Sequence, residues 1–588
     1  MPTLTIDNRE IKVPNGTKVI EAAERLGIVI PRFCFHPALG AVGACRVCAV
    51  AFLEGPIKGI QMSCMVDAQD GMVVSSTDAE AVDFRRHVIE FLMLNHPHDC
   101  PVCDEGGHCL LQDLTVAGGH GRRRYQGLKR THRNQDLGPL VQHEMNRCIQ
   151  CYRCSRYYQE VTGYRDLGVM GIGSRVYFGR SRSGVLESPF AGNLVDICPT
   201  GVYTDKPSRY LGRRWDFQRQ ASVCIHCSLG CHLTAAVRYR QVVRHEARLN
   251  SDVNGHFICD RGRYGYVYAS AAERPRTAMQ AGVPAQTTEV LDRIRAAIDT
   301  VTGQSGAGSV ALAASPRGSL ETLAMAKKVC RQHGWTGPAL VHTQRQAHNL
   351  KTAVTCLQPD LAVSMVGVAS ARDVLVIGAD PINEAPMLTL ALRQVQRKGG
   401  SVTVIDPRGV QLPFDCDHWA VSPEKIGPVL QAIVDEIGGS QAAASAPPGA
   451  PDAYPVAALA KRLNGSPRPV VVCGTDIVTD TEIGLAAELA RLLCRTHIVA
   501  GLFYTLQGPN AFAAGLMDRP ETTSEALVAG METGAIRMLI VVEQDLWRDF
   551  PDRPRLQAAL AKLEHLVVLD YVDSPLNRQA DCFLPTQP

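Results

Sequence analysis

Fifteen of the 21 cysteines lie between Cys34 and Cys259, in four groups with short internal spacings. No other feature constrains the fold as strongly. Loops pinned through closely spaced thiolates need little regular structure of their own, so the front of the chain is expected to fold around its cysteines. The remaining six, Cys330, Cys356, Cys416, Cys473, Cys494 and Cys582, are scattered and read as structural. The opening stretch MPTLTIDNREIKVPNG has neither a charged-then-apolar leader nor a twin-arginine pair, which points away from export. In a reducing compartment, clustered cysteines indicate metal ligation or redox chemistry rather than disulfides.

The first group, Cys34, Cys45, Cys48 and Cys64, joins the loop CFHPALGAVGACRVC to a distant fourth cysteine. Plant-type [2Fe–2S] ferredoxins combine an isolated cysteine, a C-x-x-C pair and a remote fourth in the same way, with a shorter first gap. Zinc is the competing reading, but structural zinc usually takes two paired knuckles. In the second group, HPHDCPVCDEGGHC, Cys100, Cys103 and Cys109 supply three thiolates and leave one corner of a cubane open. His96 can fill it, and His98 and His108 compete on proximity. The third group, CIQCYRC with DICPTG, puts Cys148, Cys151 and Cys154 on one side of a tight turn. The remote Cys198-Pro completes the pattern of a bacterial [4Fe–4S] ferredoxin, without a second interleaved motif. The fourth, Cys224, Cys227, Cys231 and Cys259, suits a [4Fe–4S] cluster at the entrance of an α/β domain; zinc is a stronger rival there.

The rest reads as ordinary globular structure. A length of 588 residues suggests about four folding units, and 45% hydrophobic with 20% charged residues excludes disordered and coiled-coil classes. A net charge of +3 gives no whole-chain reason for a nucleic-acid partner. LTIDNREIKV predicts two strands around a turn at Asp7 and Asn8. TKVIEAAERLG predicts a helix closed by Gly27, and AEAVDFRRHVIEFLMLNHP a helix with an apolar stripe of Val82, Val88, Ile89, Leu92 and Met93 that ends near Pro97. The basic stretch from Gly121 to Arg133 reads equally as a solvated loop or a docking surface for an acidic partner subunit.

After about Pro275, short apolar runs alternate with helical stretches, which predicts parallel strands buried on both faces. The strand candidates are 309–314, 373–378, 401–406, 469–474, 538–543 and 566–570. The Ala/Pro/Gly stretch from Gly439 to Pro451 is expected to divide this region into two α/β lobes. The uncharged segment IVAGLFYTLQGPNAFAAGLM reads as loop and helix start rather than a membrane span. The near match to a dinucleotide fingerprint, Gly306 to Ala311, precedes a strand instead of following one, so no NADH site is read on this chain. No catalytic set of side chains is identified.

The stretches RFCFHPALGAVGACRVC, NHPHDCPVCDEGGHCLLQD, EMNRCIQCYRCSR and GNLVDICPTGVYTDKP, in this order, resemble the G-subunit family of bacterial respiratory NADH-quinone oxidoreductases. The resemblance covers essentially the whole chain and implies His96 as the nitrogen ligand of the second cluster. It implies one [2Fe–2S] cluster and three [4Fe–4S] clusters, the last of them off the main path. Electrons would arrive from a flavin/NADH-binding subunit and its 2Fe–2S partner, and leave toward 4Fe–4S and quinone-module subunits, in a complex that couples the transfer to proton translocation. The membrane arm would be reached only indirectly, with this subunit peripheral on the cytoplasmic side of the cell membrane.

The implied fold class is a multidomain α/β chain. It comprises a β-grasp [2Fe–2S] ferredoxin-like domain (1–78), a domain with one histidine and three cysteine ligands (79–120), a four-cysteine domain (121–216), a further 4Fe–4S domain (217–275) and an α/β domain (276–588). DVLVIGADPINEAP and SVTVIDPRGV resemble the molybdopterin oxidoreductase fold. That fold holds molybdenum or tungsten through a Cys, selenocysteine or Ser in a region corresponding to ALVHTQRQAHNLKTAV, which has no cysteine; Cys356 lies just beyond it. The chain also stops at ADCFLPTQP, where metal-bearing relatives continue. The domain is therefore expected to be degenerate, without molybdopterin, molybdenum or tungsten. Two alternatives stay open: the related subunit of an NAD-linked hydrogenase or electron-bifurcating complex, and a molybdenum or tungsten formate dehydrogenase.

Overall fold

A computed structural model describes residues 1–118, 121–122, 124–439, 454–496, 499–517 and 521–587. The chain forms two compact units. The first comprises residues 1–221, 234–249 and 255–264, and the second residues 222–233, 250–254 and 265–588. Among the described residues, no helix is long and apolar enough to cross a membrane.

The first unit opens with the expected hairpin, β1 (Thr3–Ile6) and β2 (Arg9–Lys12). Asp7 and Asn8 both take positive φ, 46° and 61°, the geometry of a two-residue hairpin turn that matches strand twist. Helix α1 (Val19–Arg25) follows. Gly27 (φ 73°) ends it, with the Ile28 N–H donating to the Ala23 carbonyl at 2.9 Å. Strands β3 (Ala49–Glu54), β4 (Gly59–Met62) and β5 (Val73–Ser75) complete a five-stranded sheet in the order β2-β1-β5-β3-β4, in which β1 and β5 are parallel. Beyond the loop CFHPALGAVGACRVC the first cysteine group contains a hairpin: Cys48 immediately precedes β3 and Cys64 follows β4.

Helix α2 (Ala79–Met93) starts on Asp78, whose carboxylate accepts from the Glu80 and Ala81 N–H groups at 3.0 and 3.2 Å. Its buried face runs through Ala81, Ile89 and Glu90, with Val88, Leu92 and Met93 partly covered. Val82 does not join it, being 39% exposed; one step along from Ala81, it is rotated by about 100° away from the core. Helix α3 (Leu110–Ala117) follows Cys109 directly. Two small antiparallel pairs come next: β6 (Val141–His143) with β9 (Tyr203–Asp205), and β7 (Leu167–Met170) with β8 (Tyr177–Arg180). They frame α4 (Arg153–Arg156), which runs on as a π-helical turn to Val161, and α5 (Asn193–Ile197). Strands β10 (Gln218–Val223), β11 (His232–Arg238) and β12 (Gln241–Ala247) form a three-stranded sheet, and α6 (Asp260–Tyr264) follows Cys259.

The second unit is built on two largely parallel sheets. Strands β13 (Met279–Gln280), β14 (Val283–Pro284), β15 (Val310–Ala314) and β16 (Thr336–Ala339) begin one. The chain then lays down β17 (Asp373–Ile377), β18 (Ser401–Ile405), β19 (Asp417–Trp419), β20 (Pro469–Gly474) and β21 (Gly501–Thr505), before returning for β22 (Met538–Val542), β23 (His565–Asp570) and β24 (Cys582–Pro585). The orders are β14-β13-β24-β23-β22-β15-β16 and β19-β18-β17-β20-β21. All six strand candidates form strands. Two lobes exist as expected, but their boundary differs: the five-stranded lobe is inserted between β16 and β22. The proposed divider, Gly439 to Pro451, falls within that lobe's own sequence, and apart from Gly439 it lies outside the described residues. Residues 501–505 form edge strand β21, with helix Ala511–Met517 beyond. Gly, Gln, Asn and Pro around the strand obscure its short apolar run in the sequence.

Candidate metal centres

In the first group, all four cysteines are buried. The Cys34 N–H donates to the Cys45 sulfur at 3.4 Å, and the Cys48 and Cys64 sulfurs are 3.2 Å apart. Hydrogen bonds from Cys45 and Cys64 hold the Cys34 thiol far below its usual range, while Cys45 and Cys64 are pushed up as donors. The contact with Cys64 lowers Cys48 to about 7. The contacts bring the four buried cysteines together in two pairs, Cys34 with Cys45 and Cys48 with Cys64.

The second group lies past the C-terminus of α2. His96 is 7% exposed, its Nδ1 has no partner, and burial lowers its pKa to about 4. A buried neutral imidazole with a free nitrogen is a suitable metal ligand. His108 is also buried at Nδ1 without a partner, but its Nε2 is 3.3 Å from Glu105. Cys103 and Cys109 are buried and Cys100 is half-exposed; desolvation raises Cys109 to about 12. Gly201 fits against Cys103 so closely that a Cβ there would stand 2.6 Å from the sulfur.

In the third group, Gln150 and Tyr152 take positive φ, 54° and 64°, which turns the C-x-x-C-x-x-C backbone back on itself. The Gln150 N–H donates to the Cys148 sulfur at 3.3 Å, and the Cys198 sulfur sits 2.9 Å from the Thr200 carbonyl. Burial raises all four thiols. Cys151 reaches about 12, with the charge of Cys198 adding to the effect. Of the fourth group, Cys224, Cys227 and Cys231 lie between β10 and β11 in residues of the second unit, and Cys259 precedes α6 in the first; all are buried. Among the described residues, no set of three or more His, Cys, Asp or Glu side chains is arranged to hold a single metal ion.

The first three groups meet. Cys34 and Cys45, Cys109, and Cys151 belong to one buried apolar cluster with Phe33, Val47, Ile89, Leu111 and Ile149. Arginines tie their loops together. Arg147, beside Cys148, binds Asp99 at 2.7 Å and the Gly201 carbonyl at 3.2 Å. Arg153, inside the third motif, donates to the Phe35 carbonyl at 2.6 Å. Two residues of the largely exposed basic stretch anchor it: Arg124 forms a two-pronged pair with buried Glu90 at 2.8 and 2.5 Å, and the Lys129 ammonium donates to the His96 carbonyl. Arg153, Arg147 and Gly201 do not stand out in the sequence as site residues. Their only signal there is a charge or a glycine within three residues of a ligand cysteine.

Of the six later cysteines, Cys330, Cys473 and Cys582 are buried and Cys356, Cys416 and Cys494 are half-buried; Cys356 ends helix Gln344–Cys356 against the five-stranded lobe's core.

Family models match along the chain. They are a 2Fe-2S iron-sulfur cluster binding domain (1–79), an NADH-ubiquinone oxidoreductase-G iron-sulfur binding region (85–124), an NADH-quinone oxidoreductase subunit 3 ferredoxin-like domain (138–204), a molybdopterin oxidoreductase Fe4S4 domain (217–270) and molybdopterin oxidoreductase (283–588). Among solved structures, an NAD+-reducing [NiFe]-hydrogenase in the H2-reduced state is 31% identical, with a TM-score of 0.33 over 36% of this chain and 90% of that one. The G subunit of the NADH-quinone oxidoreductase of Pseudomonas fluorescens is 38% identical over 100% of this chain and 67% of its own length. Its counterpart in Escherichia coli K12 is 36% identical over 99% and 67%. With 2Fe–2S and 4Fe–4S family models matched along it and identity at this level over the whole chain, the protein belongs to the NADH-quinone oxidoreductase G-subunit family, the iron–sulfur subunit of that oxidoreductase complex.

Proposed function

We propose that this subunit relays electrons from the NADH/flavin module toward quinone through clusters held by its first three cysteine groups. The observation that carries this reading is the single buried apolar core shared by Cys34, Cys45, Cys109 and Cys151, which brings three of the sites together. Cys34, Cys45, Cys48 and Cys64 hold a [2Fe–2S] cluster; His96, Cys100, Cys103 and Cys109 a [4Fe–4S] cluster; Cys148, Cys151, Cys154 and Cys198 another. Cys224, Cys227, Cys231 and Cys259 hold a third [4Fe–4S] cluster off the path, a set that rests on its spacing. The unpartnered Nδ1 of His96 and the Gly201 cradle at Cys103 fit such groups. Each cluster, when bound, accepts and returns one electron at a time.

The chain's own residues fix the sites in place and exclude water. Apolar neighbours keep the dielectric low, and backbone N–H groups at Cys34 and Gln150 point at sulfur, which sets potential. Among the cysteines of the first three groups, Cys100 and Cys148 are the partly exposed ones, the others being buried. In this reading the five domains divide at 78, 120, 216 and 275. The α/β domain is a scaffold without molybdopterin, and attachment to the cytoplasmic face of the membrane runs through the flavin-side and quinone-side subunits.

The test is metal content and spectroscopy of the purified complex or full chain. The expected result is about 14 iron atoms per chain, reducible EPR signals, no stoichiometric molybdenum or tungsten, and co-purifying membrane subunits. Stoichiometric zinc in a colourless protein, molybdenum with formate-dependent dye reduction, or a co-purifying hydrogenase large subunit would overturn it.

A further inference from the structure

Three arginines of the first unit are buried at the cysteine groups or beside them, and one differs from the other two. Arg147 has Asp99 at 2.7 Å, and the guanidinium of Arg263 pairs with the Asp196 carboxylate. Arg153 is 8% exposed and forms no ion pair with a carboxylate among the described residues; its Nε has no hydrogen-bond partner. Its Nη2 donates to the Phe35 carbonyl, 2.6 Å away and 118 positions earlier in the chain. A buried cation without a counterion is costly enough that structures rarely keep one.

Arg153 lies within the third motif and binds the backbone of the first, and Cys34 and Cys45 of the first group share one buried core with Cys151 of the third. Phe35 is the residue after Cys34, and Arg153 the residue before Cys154. The guanidinium therefore bridges the two cysteine loops. Clusters ligated by four thiolates are net anions, and each gains one further negative charge on reduction.

We propose that Arg153 is a positioning residue that fixes the first and third sites at a set separation and serves as the shared countercharge of both clusters, raising both reduction potentials together. This rests on the ligand sets proposed above. One electron enters each cluster, and no bond or proton changes at Arg153. The charge is paired with whichever cluster is reduced, so the electron's transfer between the two sites does not leave a buried anion uncompensated at either end.

EPR-monitored redox titration of the purified complex tests this with Arg153→Gln, which can still donate to Phe35 but carries no charge, and Arg153→Lys, which keeps the charge. The Gln variant is expected to lower the reduced-to-oxidised ratio of the first-group and third-group clusters at least tenfold at fixed ambient potential, about 59 mV for one electron. The His96-containing cluster is expected to move less than threefold, and the Lys variant is expected to hold both affected ratios within threefold. The inference is overturned if the Gln variant leaves both clusters within threefold, moves only one, or moves all clusters equally. Should the Gln variant fail to assemble, the Lys variant alone decides: a tenfold shift with the charge retained refutes the countercharge role. Iron content and signal number in the unaltered complex separate this from a failure of the ligand sets themselves.

Discussion

Replacing Gly201 by Ala tests the second site through its steric fit. A Cβ at this position would stand 2.6 Å from the Cys103 sulfur, 3.1 Å from the Glu105 Cβ and 3.2 Å from the Arg147 Cδ. Relaxed non-bonded contacts lie at about 3.5–4.0 Å, so the sulfur or the Thr200–Gly201 backbone must retreat by about 1 Å. Neither side is loose. The Cys103 carbonyl accepts from the Arg213 guanidinium, and the Gly201 carbonyl is held by Arg147 at 3.2 Å. Overpacking of this kind costs about 1–3 kcal/mol, and metal ligands tolerate displacements of only about 0.2 Å. The cluster proposed at His96 and Cys103 is therefore expected to be lost or degraded, taking about four of the about 14 irons proposed, while the signals of the other groups persist. Iron analysis and low-temperature EPR of the purified variant read this directly. Full iron with an unchanged second-group signal would refute the idea that this contact positions Cys103.

Arg263→Met is expected to cost about 3–5 kcal/mol, because it strands Asp196 and removes bonds to Asn193 at 3.2 Å and the His245 carbonyl at 3.3 Å; denaturant titration of the first unit's signals measures it. His143 is fully buried and desolvation lowers its pKa to about 4, against 6.5 for a free histidine. Between those values the unfolded chain binds a proton that the folded one does not. Its contribution to stability is therefore complete above about pH 6.5 and falls toward pH 4, by up to about 1.4 kcal/mol per pH unit. His143→Gln should flatten the stability profile across that window, and an unchanged slope would contradict the assignment. Burial holds Cys109 and Cys151 near about 12, so iron–sulfur loading of the apo chain at pH 8 should release protons and proceed better as pH rises; a pH-indicator titration without proton release would count against buried neutral thiols.

The local elements were legible where a local rule governs them. Asp7-Asn8 fixed a hairpin, Gly27 a helix end, and six apolar runs six strands, because turn chemistry and double-sided burial leave marks in a few consecutive residues. The cysteine spacings likewise announced four groups. The joining of three groups in one core was not legible, since Ile89, Leu111 and Ile149 carry no pattern that says which loops they cover. Nor was the nesting of one lobe within the other. Strand order depends on which runs pair across two hundred residues, and β15 and β22 look alike from the sequence whether they neighbour each other or not. Val82 and the strand at 501–505 failed for smaller reasons, a rotation by one helical step and an apolar run interrupted by turn formers.

The nesting has a consequence for how the chain is made. Strand β15 pairs with β22 from Val310↔Met538 to Ala314↔Val542, and β13 pairs with β24 at Met279↔Phe583. During synthesis the early strands of the larger sheet emerge with open edges and wait while the whole inserted lobe is translated. At about 5–20 residues per second that wait lasts about 10–60 seconds. The inserted lobe, contiguous from β17 to β21, can close first on the ribosome. The exposed edges of β13 and β15 are then the segments most in need of a chaperone, and a stall in translation between β21 and β22 should aggregate the nascent chain more readily than a stall before β15.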